Sequence, residues 1–142
     1  MKYVFLVSHG ELAHGMHTAV EMLAGGGRKD ILSVGLENGM GADVFAEKVK
    51  EVLSVIGEGD EIILFADLVG GSPLTTASNV IAEMGLLSRT VMIGGMNMPL
   101  VLTATLMKDT METSDAVEML ISEAKEGIKQ FEVTLDTADE EI

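Results

Sequence analysis

The sequence predicts an α/β fold: a three-layer arrangement with a mainly parallel sheet between helices on both faces. Two short stretches, Tyr3–Val7 and Ile62–Phe65, are unbroken apolar runs rich in aromatic and branched residues. Such runs suit strands buried on both faces, as in the middle of a parallel sheet. Segments of helical period separate the strands, and glycine-rich turns mark the changeovers. The resulting order, β-α-β-α-β-α-β-α-α-β, calls for crossover helices between parallel strands.

The first strand is the run Tyr3–Val7, which stops abruptly at Ser8-His9-Gly10. Met16, Val20 and Leu23 recur at helical spacing, so Met16–Ala24 is expected to be a helix ended by Gly25-Gly26-Gly27. Ile31–Leu36 is the second strand, and Asn38-Gly39 with Gly41 forms a turn. Ala42–Val55 is a second helix, with Val44, Phe45, Val49, Val52 and Leu53 on its inner face. Glu61–Ala66 is the third strand. Asp67-Leu68-Val69-Gly70-Gly71-Ser72-Pro73 follows it, leading into a helix over Leu74–Met84. Pro73 suits a first helical position and Ser72 an N-cap. Thr90–Ile93 is the fourth strand, followed by Gly94-Gly95-Met96-Asn97-Met98-Pro99. Helices are expected at Leu100–Met107 and Ser114–Gly127. Phe131–Leu135 alternates in polarity as a half-exposed antiparallel edge strand does. Residues 1–136 form one domain, without internal repeat or linker, and residues 137–142 an acidic tail.

The 142-residue chain is long enough to bury a core without staples. It has no cysteine, which excludes disulfides and thiolate metal sites. Eleven methionines and no tryptophan point to a core filled by flexible side chains. No signal peptide or membrane-spanning run is visible, so the cytoplasm is the expected compartment. Nine Lys plus Arg stand against 23 Asp plus Glu, a net charge of −14. This balance argues against nucleic acid and against anionic membrane surfaces, and favours protein partners with basic faces.

Two strand ends carry the chemistry. For a strand order of 2-1-3-4, the first and third strands are neighbours, and the winding direction reverses between them. Ligands bind in the crevice at such a point. His9 ends one strand and Asp67 the other, so they are expected to face each other. A carboxylate that accepts one imidazole proton fixes the tautomer and frees the other nitrogen for attack. Gly70, Gly71 and Ser72 open the next helix, where backbone N–H groups and the helix dipole favour a phosphoryl group.

The segments SHG after strand one, DLVGGSP after strand three and GGMNMP after strand four together resemble the mannose-family enzyme IIA of the bacterial phosphoenolpyruvate-dependent sugar phosphotransferase system. The likeness runs over nearly the whole chain. It implies that His9 accepts a phosphoryl group from the phosphocarrier protein HPr and passes it to an enzyme IIB. It also implies that Asp67 is the partner of His9 and that Ser72 with its loop sits beside the phosphoryl group. Membrane components IIC and IID would be met only indirectly. Family members are homodimers whose C-terminal antiparallel strand crosses to the other subunit, and Phe131–Leu135 matches that position.

His14 and His17 match no motif of the family; as a surface pair they have a bland reading, and a metal site there lacks further ligands. No metal or cofactor is expected. Absence of a GxxxxGKS loop argues against an NTPase. A single Tyr and no Trp leave a flavin without its usual aromatic neighbours. The phosphotransferase subunit of dihydroxyacetone kinase carries a related domain, but its loop after strand three differs from GGSP. A phosphorylation-sensing regulatory module is the other alternative; such modules are usually fused to regions this chain has no room for.

Overall fold

The computed structural model describes residues 1–135. Its middle layer is a four-stranded, all-parallel sheet in the order 2-1-3-4. The strands are β1 (Lys2–His9), β2 (Ile31–Leu36), β3 (Glu61–Ala66) and β4 (Thr90–Gly94). The helices are α1 (Leu12–Ala24), α2 (Ala42–Val52), α3 (Ser72–Glu83), α4 (Met98–Met107) and α5 (Thr113–Glu126).

Side-chain alternation along the two central strands builds two cores. Val4, Leu6, Ile63 and Phe65 point to one face, where α1, α4 and α5 bring Val20, Leu100, Val101 and Leu120. Phe5, Val7, Ile62 and Leu64 point to the other, covered by Phe45 and Val49 of α2 and by Ala77 and Ile81 of α3. Phe5, Leu6, Leu64 and Phe65 are fully buried, and each contributes about 1.5–3 kcal/mol of transfer free energy. The expected three-layer α/β architecture and strand order are therefore what the chain adopts.

Local departures have physical reasons. β1 runs past its apolar run through Ser8 and His9, because these pair in register with Gly35 and Leu36 of β2. α1 begins at Leu12, a full turn before Met16. The buried Ser8 hydroxyl accepts the Ala13 N–H at 2.7 Å and so caps the helix from the preceding strand. α2 stops at Val52 and tightens into a 3₁₀ turn over Leu53–Val55. At α3 the cap is Gly71, not Ser72; Ser72 is the first helical residue and no side chain accepts a capping bond.

The expected antiparallel strand at Phe131–Leu135 is absent from the single chain; no strand follows β4 among the described residues. Phe131, Val133 and Leu135 are 87%, 73% and 85% exposed. Alternating polarity fits a pleat, but a ladder needs a neighbouring strand, and the segment lies against none. The domain end at 136 and the tail 137–142 fall outside the described residues.

Opposite the strand C-termini, the base of the sheet is held by charge. Lys108, its side chain 2% exposed, places Nζ 2.8 Å from Asp30 and 3.0 Å from Asp109. Arg28 forks onto both carboxylate oxygens of Asp30 at 2.9 Å. Lys2 donates to the carbonyls of Lys108 and Met111. Burial pushes the Asp30 carboxyl up, but hydrogen bonds from Arg28 and Lys108 outweigh it and hold the group at about 2. This network ties the end of α4 to the start of β2.

Candidate functional site

β1 and β3 lie side by side, with β2 beyond one and β4 beyond the other. The crossovers leave this central pair in opposite directions, which opens a crevice past the strand ends. His9 is the last residue of β1, and Asp67 directly follows β3. Asp67 Oδ2 lies 2.8 Å from His9 Nδ1 and also accepts the His9 backbone N–H at 3.0 Å. Its Oδ1 accepts the Leu68 N–H at 2.9 Å. One carboxylate thus fixes the imidazole at both its backbone and its ring.

The Asp67 side chain is 12% exposed and that of His9 48%. Burial pushes the Asp67 carboxyl up; the His9 backbone bond, the His9 ring and the Leu68 N–H together outweigh it and hold the group below its ordinary value. An ionised carboxylate only accepts hydrogen bonds, so Nδ1 carries the proton. Nε2 is then left with its lone pair, on a half-exposed ring. That is the arrangement of an imidazole nucleophile.

The two glycines expected to act alike do different jobs. A Cβ on Gly71 would stand 2.7 Å from His9 Cε1 and 3.4 Å from Nε2, so the α3 cap packs directly on the imidazole. A Cβ on Gly70 would meet nothing within 4 Å. Ser72 is exposed at the start of α3. Backbone N–H groups of a first helical turn have no intrahelical acceptor, and those of Ser72 and Leu74 belong to that turn. Of the residues singled out in the sequence, His9, Asp67 and Gly71 lie against one another; Gly70 and Ser72 flank Gly71 in the chain, and the Ser72 side chain makes no capping bond.

Two contributors were not foreseen. Ser8 anchors the start of α1 and thereby the turn carrying His9 and Gly10. Gly35 lies where a Cβ would fall 2.0 Å from the Gly10 carbonyl oxygen, so β2 admits no side chain beside that turn. Nothing local in the sequence marks either role, because both depend on residues brought from elsewhere. Close in sequence to His9 and Asp67, Leu12, Leu68 and Val69 are exposed apolar residues. A depression of about 300 Å³ is lined by His9, Gly10, Leu36, Glu37, Asn38 and Met40.

The arginines are engaged elsewhere, Arg28 with Asp30 and Arg89 with the Gly57 carbonyl. His17 bonds Ser33 through Nδ1 at 2.7 Å and lies 3.5 Å from Glu21 through Nε2, bracing α1 against β2. The His14 ring packs edge-on against it, 6.3 Å between centroids. Among the described residues, no group of three or more His, Cys, Asp or Glu is placed to hold a metal ion. No helix of these residues is long and apolar enough to cross a membrane.

Residues 3–121 match the family described as PTS system fructose IIA component. The chain belongs to that family. As an EIIA component it is part of a sugar phosphotransferase system, and phosphotransferase activity is the general function of such components. The fructose-specific EIIA component of Bacillus subtilis (strain 168) is 26% identical over 117 residues, covering 82% of this chain and 77% of that protein. Solved structures of two EIIA proteins share the fold. The phosphotransferase component EIIA from Streptococcus agalactiae has a TM-score of 0.77 at 23% identity, with 96% of this chain and 99% of that one covered. The mannose/sorbose-specific IIA subunit from Enterococcus faecalis has a TM-score of 0.79 at 20% identity, with 94% and 98% covered.

Proposed function

We propose that this EIIA component is a cytoplasmic phosphoryl carrier that takes the group from HPr onto His9 Nε2 and hands it to an enzyme IIB. The single observation behind the atom assignment is the 2.8 Å contact between Asp67 and His9 Nδ1. With Nδ1 occupied, the Nε2 lone pair attacks the phosphorus carried by HPr. As the new N–P bond forms, the bond to the donor breaks and its electron pair leaves with HPr. Positive charge developing on the imidazole is stabilised by the adjacent Asp67 carboxylate. Backbone N–H groups around Gly70, Gly71 and Ser72 receive the phosphoryl oxygens at the helix N-terminus. Transfer to IIB is the same step in reverse.

Neither arginine is free to clamp the group, which suits a carrier: tight ground-state binding would oppose onward transfer. The exposed Leu12, Leu68 and Val69, close in sequence to His9 and Asp67, give a protein partner an apolar footing. Assembly as a homodimer, with Phe131–Leu135 of each copy laid antiparallel on the free side of the other's β4, would cover the exposed apolar residues of that segment. The active unit is residues 1–136, with 137–142 as an appended acidic tail.

Incubation with phosphoenolpyruvate, enzyme I and HPr tests the assignment. One acid-labile phosphoryl group per chain is expected, lost in His9→Ala and kept in His14→Ala and His17→Ala. NMR of the phosphorylated ring should place the phosphorus on Nε2. Labelling that survives His9→Ala would falsify the site.

A further inference from the structure

The chain has three asparagines, and they sit in very different settings. Asn97 caps α4 with both ends of its amide engaged: Oδ1 accepts the Leu100 N–H at 3.0 Å and Nδ2 donates to the Ala124 carbonyl at 2.9 Å. Asn79 lies inside α3, where the backbone is held in the helical ladder. Asn38 is exposed and is followed by Gly39 in the turn after β2. That turn is closed by the Met40 N–H on the Glu37 carbonyl at 2.9 Å, and Gly39 adopts φ 86°. Among the described residues, neither the Asn38 amide nor the Gly39 N–H has a hydrogen-bond partner.

We propose that Asn38 is a site of spontaneous deamidation whose product adds a carboxylate beside the phosphoryl-accepting imidazole. Conversion needs the nitrogen of the following residue to reach the asparagine carbonyl carbon. A glycine there removes the side chain that would obstruct the approach and leaves the backbone free to rotate. The Gly39 nitrogen bonds to Asn38 Cγ, the Cγ–Nδ2 bond breaks, and ammonia leaves with the proton shed by Gly39. Water then adds to either carbonyl of the five-membered imide and opens it, giving aspartate or its β-linked isomer. No other reactant is required. In Asn97 the amide would first have to release two hydrogen bonds, and in Asn79 the helix would have to open.

The position gives the chemistry a consequence, which rests on His9 being the acceptor. Asn38 and His9 line the same depression, and Glu37 already contributes negative charge there. A second carboxylate opposes the approach of an anionic phosphoryl group, as like charges do. Ageing at this turn would therefore lower carrier activity without touching the imidazole.

The test ages the intact protein in warm, mildly alkaline buffer and maps its peptides by mass, with an isoaspartate-specific methyl-transfer assay alongside. Conversion should appear at Asn38 well before Asn79 or Asn97, should vanish in Asn38→Gln and should slow more than severalfold in Gly39→Ala. An intact Asn38, or conversion of Asn97 at the same rate, overturns the site. Separately, Asn38→Asp should accept phosphoryl from HPr severalfold more slowly than the unaged protein, with the deficit shrinking as salt rises. An unchanged rate overturns the effect on His9. Failure of the carrier reading itself would look different: unaged protein would take no phosphoryl on His9, and the mass result would stand.

Discussion

The two ends of the sheet each hold a carboxylate with a nitrogen partner at 2.8 Å, and they work in opposite ways. At the base, Lys108 and Asp30 are 2% and 15% exposed, and Arg28 and Asp109 join them. The Lys108 ammonium and both oxygens of Asp30 are spent on holding structure. At the crevice, His9 is 48% exposed, and of its two ring nitrogens only Nδ1 has a hydrogen-bond partner among the described residues. The difference lies in what is left over: Lys108 and Asp30 are spent on each other and on Asp109 and Arg28, whereas the crevice leaves Nε2. Equal distances conceal unequal roles, and burial separates them.

Substitutions at each end sharpen that contrast. After loss of His9 itself, the largest effect on activity is expected from Asp67→Asn, which keeps the volume but lets an amide N–H face Nδ1 and favours the wrong tautomer. Phosphoryl acceptance should fall about 10²–10⁴-fold, while stability drops by only about 1 kcal/mol. Rate measurements with phosphorylated HPr and urea unfolding check the two halves; an unchanged rate would remove Asp67 from the mechanism. At the other end, Lys108→Ala should cost about 3–5 kcal/mol by leaving Asp30 partly uncompensated, with transfer by the folded fraction intact. A fall in transfer as large as that of Asp67→Asn would show that the two ends are not independent.

Gly71→Ala comes next. Its methyl group would displace the imidazole, and misplacement of about 1 Å costs on the order of 10²-fold in rate. Gly70→Ala, facing open space, should change acceptance far less. The smallest effect is in acid. Asp30 has its carboxyl lowered from 3.8 to about 2, so its pairing stabilises the fold above the unfolded value and is lost as pH falls through the folded one. Between pH 4 and 2 the normal protein should lose more stability than Asp30→Asn, as read by unfolding midpoints across that range. Parallel curves would assign the acid sensitivity to other carboxylates.

The layers, the strand order and the meeting of His9 with Asp67 were legible because each rests on pattern or topology. Apolar runs identify central strands, and a parallel order brings two particular strand ends together. What escaped depends on contacts between distant residues. Ser8 closes the apolar run, so its use as a cap for α1 is invisible without the angle at which the chain turns back. Gly35 sits in a plausible strand, and only the approach of the Gly10 carbonyl explains why it has no side chain. Ser72-Pro73 looks like a cap followed by a first helical residue, yet the helix starts one residue earlier, with Gly71 at the cap, where a side chain would run into the imidazole. Phe131–Leu135 has the alternation of a strand, but alternation specifies a face and not a neighbour.

His9 and Asp67 are 58 residues apart in sequence. Their contact requires β1 and β3 to pair across an intervening α1–β2–α2 excursion, a long closure whose entropy must be met before the contact gives anything back. No fragment that lacks either strand can bring the two side chains together. Under the proposed carrier role, competence to receive a phosphoryl group would report that the middle of the sheet has closed, and during refolding it should rise with the last cooperative phase and not with early helix formation.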